Sequence, residues 1–94
     1  MKVTVDVSSG SFKDVVEKDG IVLVDWWAPW CGPCRAMAPI IEQAAGTLAE
    51  RARFAKVNTD EEQRLAMYLR IEGLPTVLAF KNGRPVDEFV GALP

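Results

Sequence analysis

The chain has 94 residues, 49% of them hydrophobic and 26% charged, which suits one small domain, residues 1–94, with a modest core. Its formal net charge is −2, so no basic surface invites nucleic acid or anionic lipid, and neither is expected as a partner. No stretch approaches the 18 apolar residues of a membrane span, and Met1-Lys2-Val3-Thr4-Val5-Asp6 carries no long apolar export segment, so the expected location is the cytoplasm.

Val3, Val5 and Val7 alternate with polar residues and predict a short strand with one buried face. Ser8-Ser9-Gly10-Ser11 offers several caps for a short helix carrying Phe12, Val15 and Val16, ended by Asp19-Gly20. Ile21 to Trp27 is an apolar run of strand length, as expected for a central strand covered on both faces. A long helix is predicted from about Pro33 to Ala49, because Met37, Ile41, Ala44, Ala45 and Leu48 recur with a period of about 3.6. Pro39 lies inside it and removes a bond to the Arg35 carbonyl, so a kink is expected there.

Arg53 to Val57 reads as a third strand, and Thr59-Asp60-Glu61-Glu62 has capping-box spacing ahead of a helix bearing Leu65, Tyr68 and Leu69. Thr76 to Phe80 is a fourth strand, turned by the hairpin signal Asn82-Gly83. Pro85 demotes the returning strand, Val86 to Val90, to an edge. The order βαβαβαββ implies a mixed sheet with helices on its faces, an α/β or α+β layer architecture.

The chain's two cysteines stand three residues apart in Trp30-Cys31-Gly32-Pro33-Cys34, between the central strand and the long helix. Closing a loop of about four residues contributes roughly 2 kcal/mol in the chain-entropy estimate, against about 3 for fifteen residues, so the pair is poorly placed as a structural staple. A thiol reacts as thiolate, and an unperturbed cysteine is only about 3% ionised at pH 7. The free N–H groups and dipole at a helix start favour an anion by about 0.3 to 2 kcal/mol, enough at the upper end to bring Cys31 near neutrality. Cys31, preceding the helix, is expected to be the exposed attacking thiol, and Cys34, one turn inside, to resolve the mixed disulfide. Gly32 allows close backbone approach, and Pro33 suits a first helical turn.

Two other readings compete with a redox dithiol. A closed zinc site needs four ligands, usually Cys or His, and this chain has two cysteines and no histidine, leaving only a metal bridged between two chains. A plain packing pair without redox role is the second. Asp25 also admits two readings: the exposed end of a strand, which periodicity favours, or a partly buried carboxylate under the dithiol. Burial would raise its pKa and let it exchange a proton with Cys34. Lys56, on a strand face with Phe54 and Asn58, is either a solvated residue or the cation that moderates that shift.

The block Val24-Asp25-Trp26-Trp27-Ala28 followed by Trp30-Cys31-Gly32-Pro33-Cys34 resembles the active site of the thioredoxin family. The resemblance extends through Lys56-Val57-Asn58-Thr59-Asp60, Gly73-Leu74-Pro75-Thr76, Phe80-Lys81-Asn82-Gly83 and Val90-Gly91-Ala92, and so spans essentially the whole chain. It implies a thioredoxin-like α/β fold in which Cys31 is the nucleophile, Cys34 the resolving thiol, Asp25 the buried acid and Lys56 its neighbour. It further implies a cis-proline at Pro75, with Leu74 hydrogen-bonding an extended substrate segment. Trp27 and Trp30 match tryptophans beside the dithiol; Gly73, Gly91 and Ala92 match an apolar docking rim. Trp26 reads as core packing, and Trp30 as a surface contact.

Two departures from the family pattern carry expectations. Pro29 stands where an acid is common, a change expected to tune partner choice. The chain stops at Pro94, where thioredoxins continue into a C-terminal helix over one sheet face. Apolar surface near Val77, Ala79 and Phe89 is therefore expected to lie uncovered, lowering stability or being covered by dimerisation or swapping.

The leading expectation is a cytoplasmic protein-disulfide reductase with the Cys31/Cys34 dithiol as its own electron carrier, so that no bound cofactor or metal is implied. Its partners would be disulfide-containing proteins and, by resemblance, an NADPH-dependent flavoprotein, thioredoxin reductase, that regenerates it. Gly-Pro between the cysteines, without histidine, favours a reducing role, since a histidinium would stabilise the thiolate and make the disulfide more oxidising. The alternative is a protein-binding adaptor, or truncated scaffold, using the apolar rim around Trp30, Leu74 and Gly91.

Overall fold

A computed structural model describes residues 4–91; the predictions for Val3 and Ala92 lie outside the described residues. The elements follow the expected order: β1 (Val5–Asp6), α1 (Phe12–Val16), β2 (Ile21–Trp27), α2 (Gly32–Thr47), β3 (Ala52–Asn58), α3 (Gln63–Tyr68), β4 (Thr76–Lys81) and β5 (Arg84–Val90). They build a mixed five-stranded sheet in the order β1-β3-β2-β4-β5. β3 runs parallel to β1 and β2, whereas β4 is antiparallel to both β2 and β5.

The apolar run Ile21–Trp27 takes the centre because both of its faces find cover. Val22, Val24 and Trp26 point to one side, where they pack with Leu78 and Phe80 of β4 and with Phe12, Val15, Val16, Leu65, Ala66 and Leu69 from α1 and α3. On the other side Leu23 joins Phe54 of β3 beneath Met37, Ile41 and Ala45 of α2. Trp26 and Phe80 are among the largest fully buried side chains, each contributing about 1.5–3 kcal/mol by removal from water. Pro39 falls within α2, as its sequence position requires.

The β4–β5 hairpin turns through Asn82 and Gly83, with φ of 55° and 79°. Two consecutive left-handed residues make the turn type that asparagine–glycine favours. Gly83 N–H then donates to the Val16 carbonyl at 3.1 Å, tying the hairpin tip to the end of α1. β5 is an edge strand, paired on one side only. The register shift near Ala79 and Phe80, which pair with Asp87 and Pro85, leaves Val86 unopposed.

Four local expectations are corrected. Val5 is exposed, whereas Thr4 and Val7 are buried; β1 lies at the sheet edge, and Val5 borders an open crevice of about 310 Å3 shared with Ala45, Ala49, Ala52 and Phe54. Thr4 instead bonds the Glu42 carboxylate of α2 through both its N–H and its hydroxyl. No capping box forms at α3: its N-cap is Glu62, without a side-chain cap bond. Thr59 donates to the Trp27 carbonyl through its N–H at 2.8 Å and its hydroxyl at 3.0 Å, because the open end of β2 offers that acceptor nearby. Tyr68 is exposed, since Leu65, Ala66 and Leu69 already form the buried stripe of α3.

The fourth correction concerns the face beside α2. α2 covers β2 and β3, so Val77 of β4 is half-buried and its cross-strand partner Phe89 is 45% exposed, as expected. Ala79 is not exposed: its methyl is buried between the in-register neighbours Leu23 and Asp87.

Candidate active site

β2, the central strand, ends at Trp27, and Ala28–Trp30 turn the chain into α2. Cys31 is the N-cap of that helix, with extended backbone (φ −84°, ψ 108°), and Pro33 occupies its first turn. The missing proline N–H costs nothing there, because first-turn N–H groups have no partner within the helix. Cys31 and Cys34 are joined by a disulfide, with their Cα atoms 5.2 Å apart. Cys31 Sγ also accepts the Cys34 N–H at 3.2 Å, the position in which a helix start favours a developing sulfur anion.

Contrary to the expectation of an exposed attacking thiol, Cys31 is 5% exposed and Cys34 is buried alongside it. In the bridged state both sulfurs pack with Ala28, against Trp27 and Leu74. Exposure falls instead to the neighbours Gly32 and Pro33.

Asp25 is buried, at 5% exposure, and its Oδ1 has no hydrogen-bond partner. Periodicity failed here because the covered surface extends to the end of β2. Burial pushes its carboxyl up from 3.8 to about 6, and the charge of Lys56 offsets part of that rise. Lys56 lies opposite Asp25 in the parallel register of β2 and β3. It is half-buried rather than freely solvated, with Nζ 4.9 Å from the centre of the Trp27 ring, a cation–π arrangement.

The Leu74–Pro75 peptide bond is cis. Leu74 packs at the disulfide, while Pro75 O accepts the Gly91 N–H at 2.8 Å. Gly91 has a φ of +86°, a region that glycine adopts without strain. Gly73 lies against Val90, whose Cγ1 would be 3.4 Å from a Cβ at that position. Leu74, Pro75, Gly73 and Gly91 are thus brought to the same loop cluster, whereas Asp25 and Lys56 form a separate pair across β2 and β3. Trp30 is 69% exposed and donates its indole N–H to Asp60 Oδ1 at 3.0 Å. Sequence reasoning missed that contact, which joins residues 30 positions apart; the capping-box spacing drew Asp60 into a helix-start role instead. Among the described residues no group of His, Cys, Asp and Glu is arranged to hold a metal.

The thioredoxin family's sequence profile matches residues 3–94. The chain belongs to the thioredoxin family. Thioredoxin 1 of Synechococcus elongatus is 44% identical over 95 residues, covering 100% of this chain and 89% of its own length. Thioredoxin of Alicyclobacillus acidocaldarius is 41% identical over 91 residues, 97% of this chain and 87% of its own. Among solved structures, the thioredoxin of Malassezia sympodialis superposes with a TM-score of 0.92 at 36% identity, covering 100% of this chain and 84% of that one. With such relatives and a bridged Cys31–Cys34 pair, this thioredoxin-family chain is a thiol–disulfide oxidoreductase with protein-disulfide reductase activity. No helix among the described residues is long and apolar enough to cross a membrane.

Proposed function

We propose that residues 1–94 act as one reductase domain in which Cys31 attacks and Cys34 resolves. The observation that carries this is the sulfur of Cys31 at the cap of α2, accepting an N–H from within the first turn. In the reduced protein the Cys31 thiolate attacks one sulfur of a substrate disulfide, and the other sulfur leaves as a thiolate that takes up a proton. The Cys34 thiol gives its proton to the Asp25 carboxylate and attacks Cys31 Sγ. The second substrate sulfur departs, and the Cys31–Cys34 disulfide remains; two electrons have passed to the substrate. Lys56, in register with Asp25, keeps enough of that carboxylate ionised near neutral pH to accept the proton.

Docking is assigned to Trp30, Gly32, Pro33, Gly73, Leu74, Pro75, Gly91 and Ala92, with Leu74 offering its backbone to an extended substrate segment. The closing of Gly73 onto Val90 and the bond between Pro75 and Gly91 support a preformed rim. We further assign the chain to the cytoplasm, to electron transport from an NADPH-dependent thioredoxin reductase, and to disulfide-containing proteins in general. The pairing of half-buried Val77 with Phe89, 45% exposed, supports self-association across that face.

The deciding assay is dithiothreitol-driven reduction of insulin. Turnover abolished by Cys31→Ser is the expected result; equal rates for the two folded proteins would refute the assignment.

A further inference from the structure

An indole that is 69% exposed turns freely about two side-chain torsions unless something holds it. Asp60 Oδ1 holds the Trp30 N–H, and the loop carrying Asp60 is itself tightly bonded. The Asp60 N–H donates to Asn58 Oδ1 at 2.9 Å, and the N–H groups of Glu61 and Glu62 return to the Asn58 carbonyl at 3.1 and 3.0 Å. Thr59 fastens this loop to the Trp27 carbonyl by two bonds. The carboxylate is therefore fixed relative to the end of β2, the strand that leads into Trp30.

We propose that Asp60 is a positioning residue for substrate docking, holding Trp30 in one orientation before a protein disulfide arrives. The inference rests on the docking role given to Trp30 above. An aromatic side chain already ordered need not be immobilised on association, a saving of about two- to tenfold in affinity. The benefit belongs to binding and not to the exchange chemistry, since Asp60 contacts the indole and neither sulfur is among its bonding partners.

The test measures KM and kcat for insulin reduction with Asp60→Ala, Asp60→Asn, Trp30→Phe, Trp30→Ala and the Trp30→Phe/Asp60→Ala double variant. Asp60→Ala is expected to raise KM about two- to tenfold with kcat changed less than about twofold. Asp60→Asn, which keeps an acceptor oxygen, recovers most of the loss. The double variant is no worse than Trp30→Phe alone, because the phenylalanine has no N–H to hold. Additive losses in the double variant, or a KM unaffected by Asp60→Ala while Trp30→Ala raises it, would overturn the positioning role and leave the docking role standing. A KM unaffected by Trp30→Ala would overturn both.

Discussion

Asp25 carries the sharpest consequences of burial. Its carboxyl titrates near 3.8 in the unfolded chain and at about 6 when folded, a difference of about 3 kcal/mol between protonation states. A raised folded-state value means that the stabilising contribution is fully present below pH 3.8 and is lost as pH rises through 6. Asp25→Asn is therefore expected to be more stable than the parent at pH 8, by up to about 3 kcal/mol, with the gain vanishing toward pH 4. Urea denaturation of the oxidised proteins at the two pH values checks this. The same substitution removes the proton acceptor proposed for Cys34. A free thiol is about 3% ionised at pH 7 and a buried one less, so unaided attack retains about one-thirtieth of the assisted rate or less. Single-turnover decay of the mixed disulfide is expected to slow by at least about 30-fold at pH 7, with the deficit narrowing as pH rises. Trp26 offers a contrasting case: it is fully buried, yet its indole N–H has no partner. Leaving such a donor unsatisfied costs about 1–3 kcal/mol, comparable to the area lost in a smaller ring. Trp26→Phe is thus expected to change thermal stability by less than about 1 kcal/mol, well below an ordinary large-to-small core substitution.

The elements themselves were largely legible, and their misjudged ends have local causes. The runs Ile21–Trp27 and Thr76–Lys81 and the Asn82–Gly83 turn announce themselves because burial or turn chemistry dominates each segment. The α3 start was misread because the Thr59 hydroxyl donates to the Trp27 carbonyl of another strand instead of accepting an N–H of its own helix. The end of α3 holds a residue that local preference would not choose. Arg70 has a φ of 58°, and the neighbouring Ile71 N–H closes the helix onto the Ala66 carbonyl at 2.9 Å. A left-handed non-glycine residue costs about 1–2 kcal/mol, while glycine adds about 0.5–1 kcal/mol of unfolded-state entropy. Arg70→Gly is expected to raise stability by about 0.5–1 kcal/mol, read as a higher urea midpoint at unchanged slope.

At the scale of the molecule, the three helices among the described residues cover the five-stranded sheet unevenly. α1 and α3 share one face with a core reaching from Val7 to Phe80, whereas α2 shelters β2 and β3 and leaves Val77 half-buried and Phe89 45% exposed. An exposed phenylalanine paired with a half-buried valine favours self-association. Sedimentation velocity is expected to show a concentration-dependent rise in mass, abolished by Phe89→Ser. A mass independent of concentration would rule out a dimer through this face.

Much of the chemistry was readable from order along the chain. Cys31 and Cys34 lie within one turn of a helix, and helix capping, proline placement and thiol chemistry are local matters that neighbours in sequence decide. The family resemblance of the surrounding blocks extended that reading to Pro75 and Gly91. Contacts between distant segments escaped it. The burial of Asp25, the placement of Lys56 over Trp27, the hold of Asp60 on Trp30 and the concealment of Cys31 all depend on which strands become neighbours. Desolvation and long-range hydrogen bonds are properties of the assembled sheet and its loops. Only the order β1-β3-β2-β4-β5 brings those groups together.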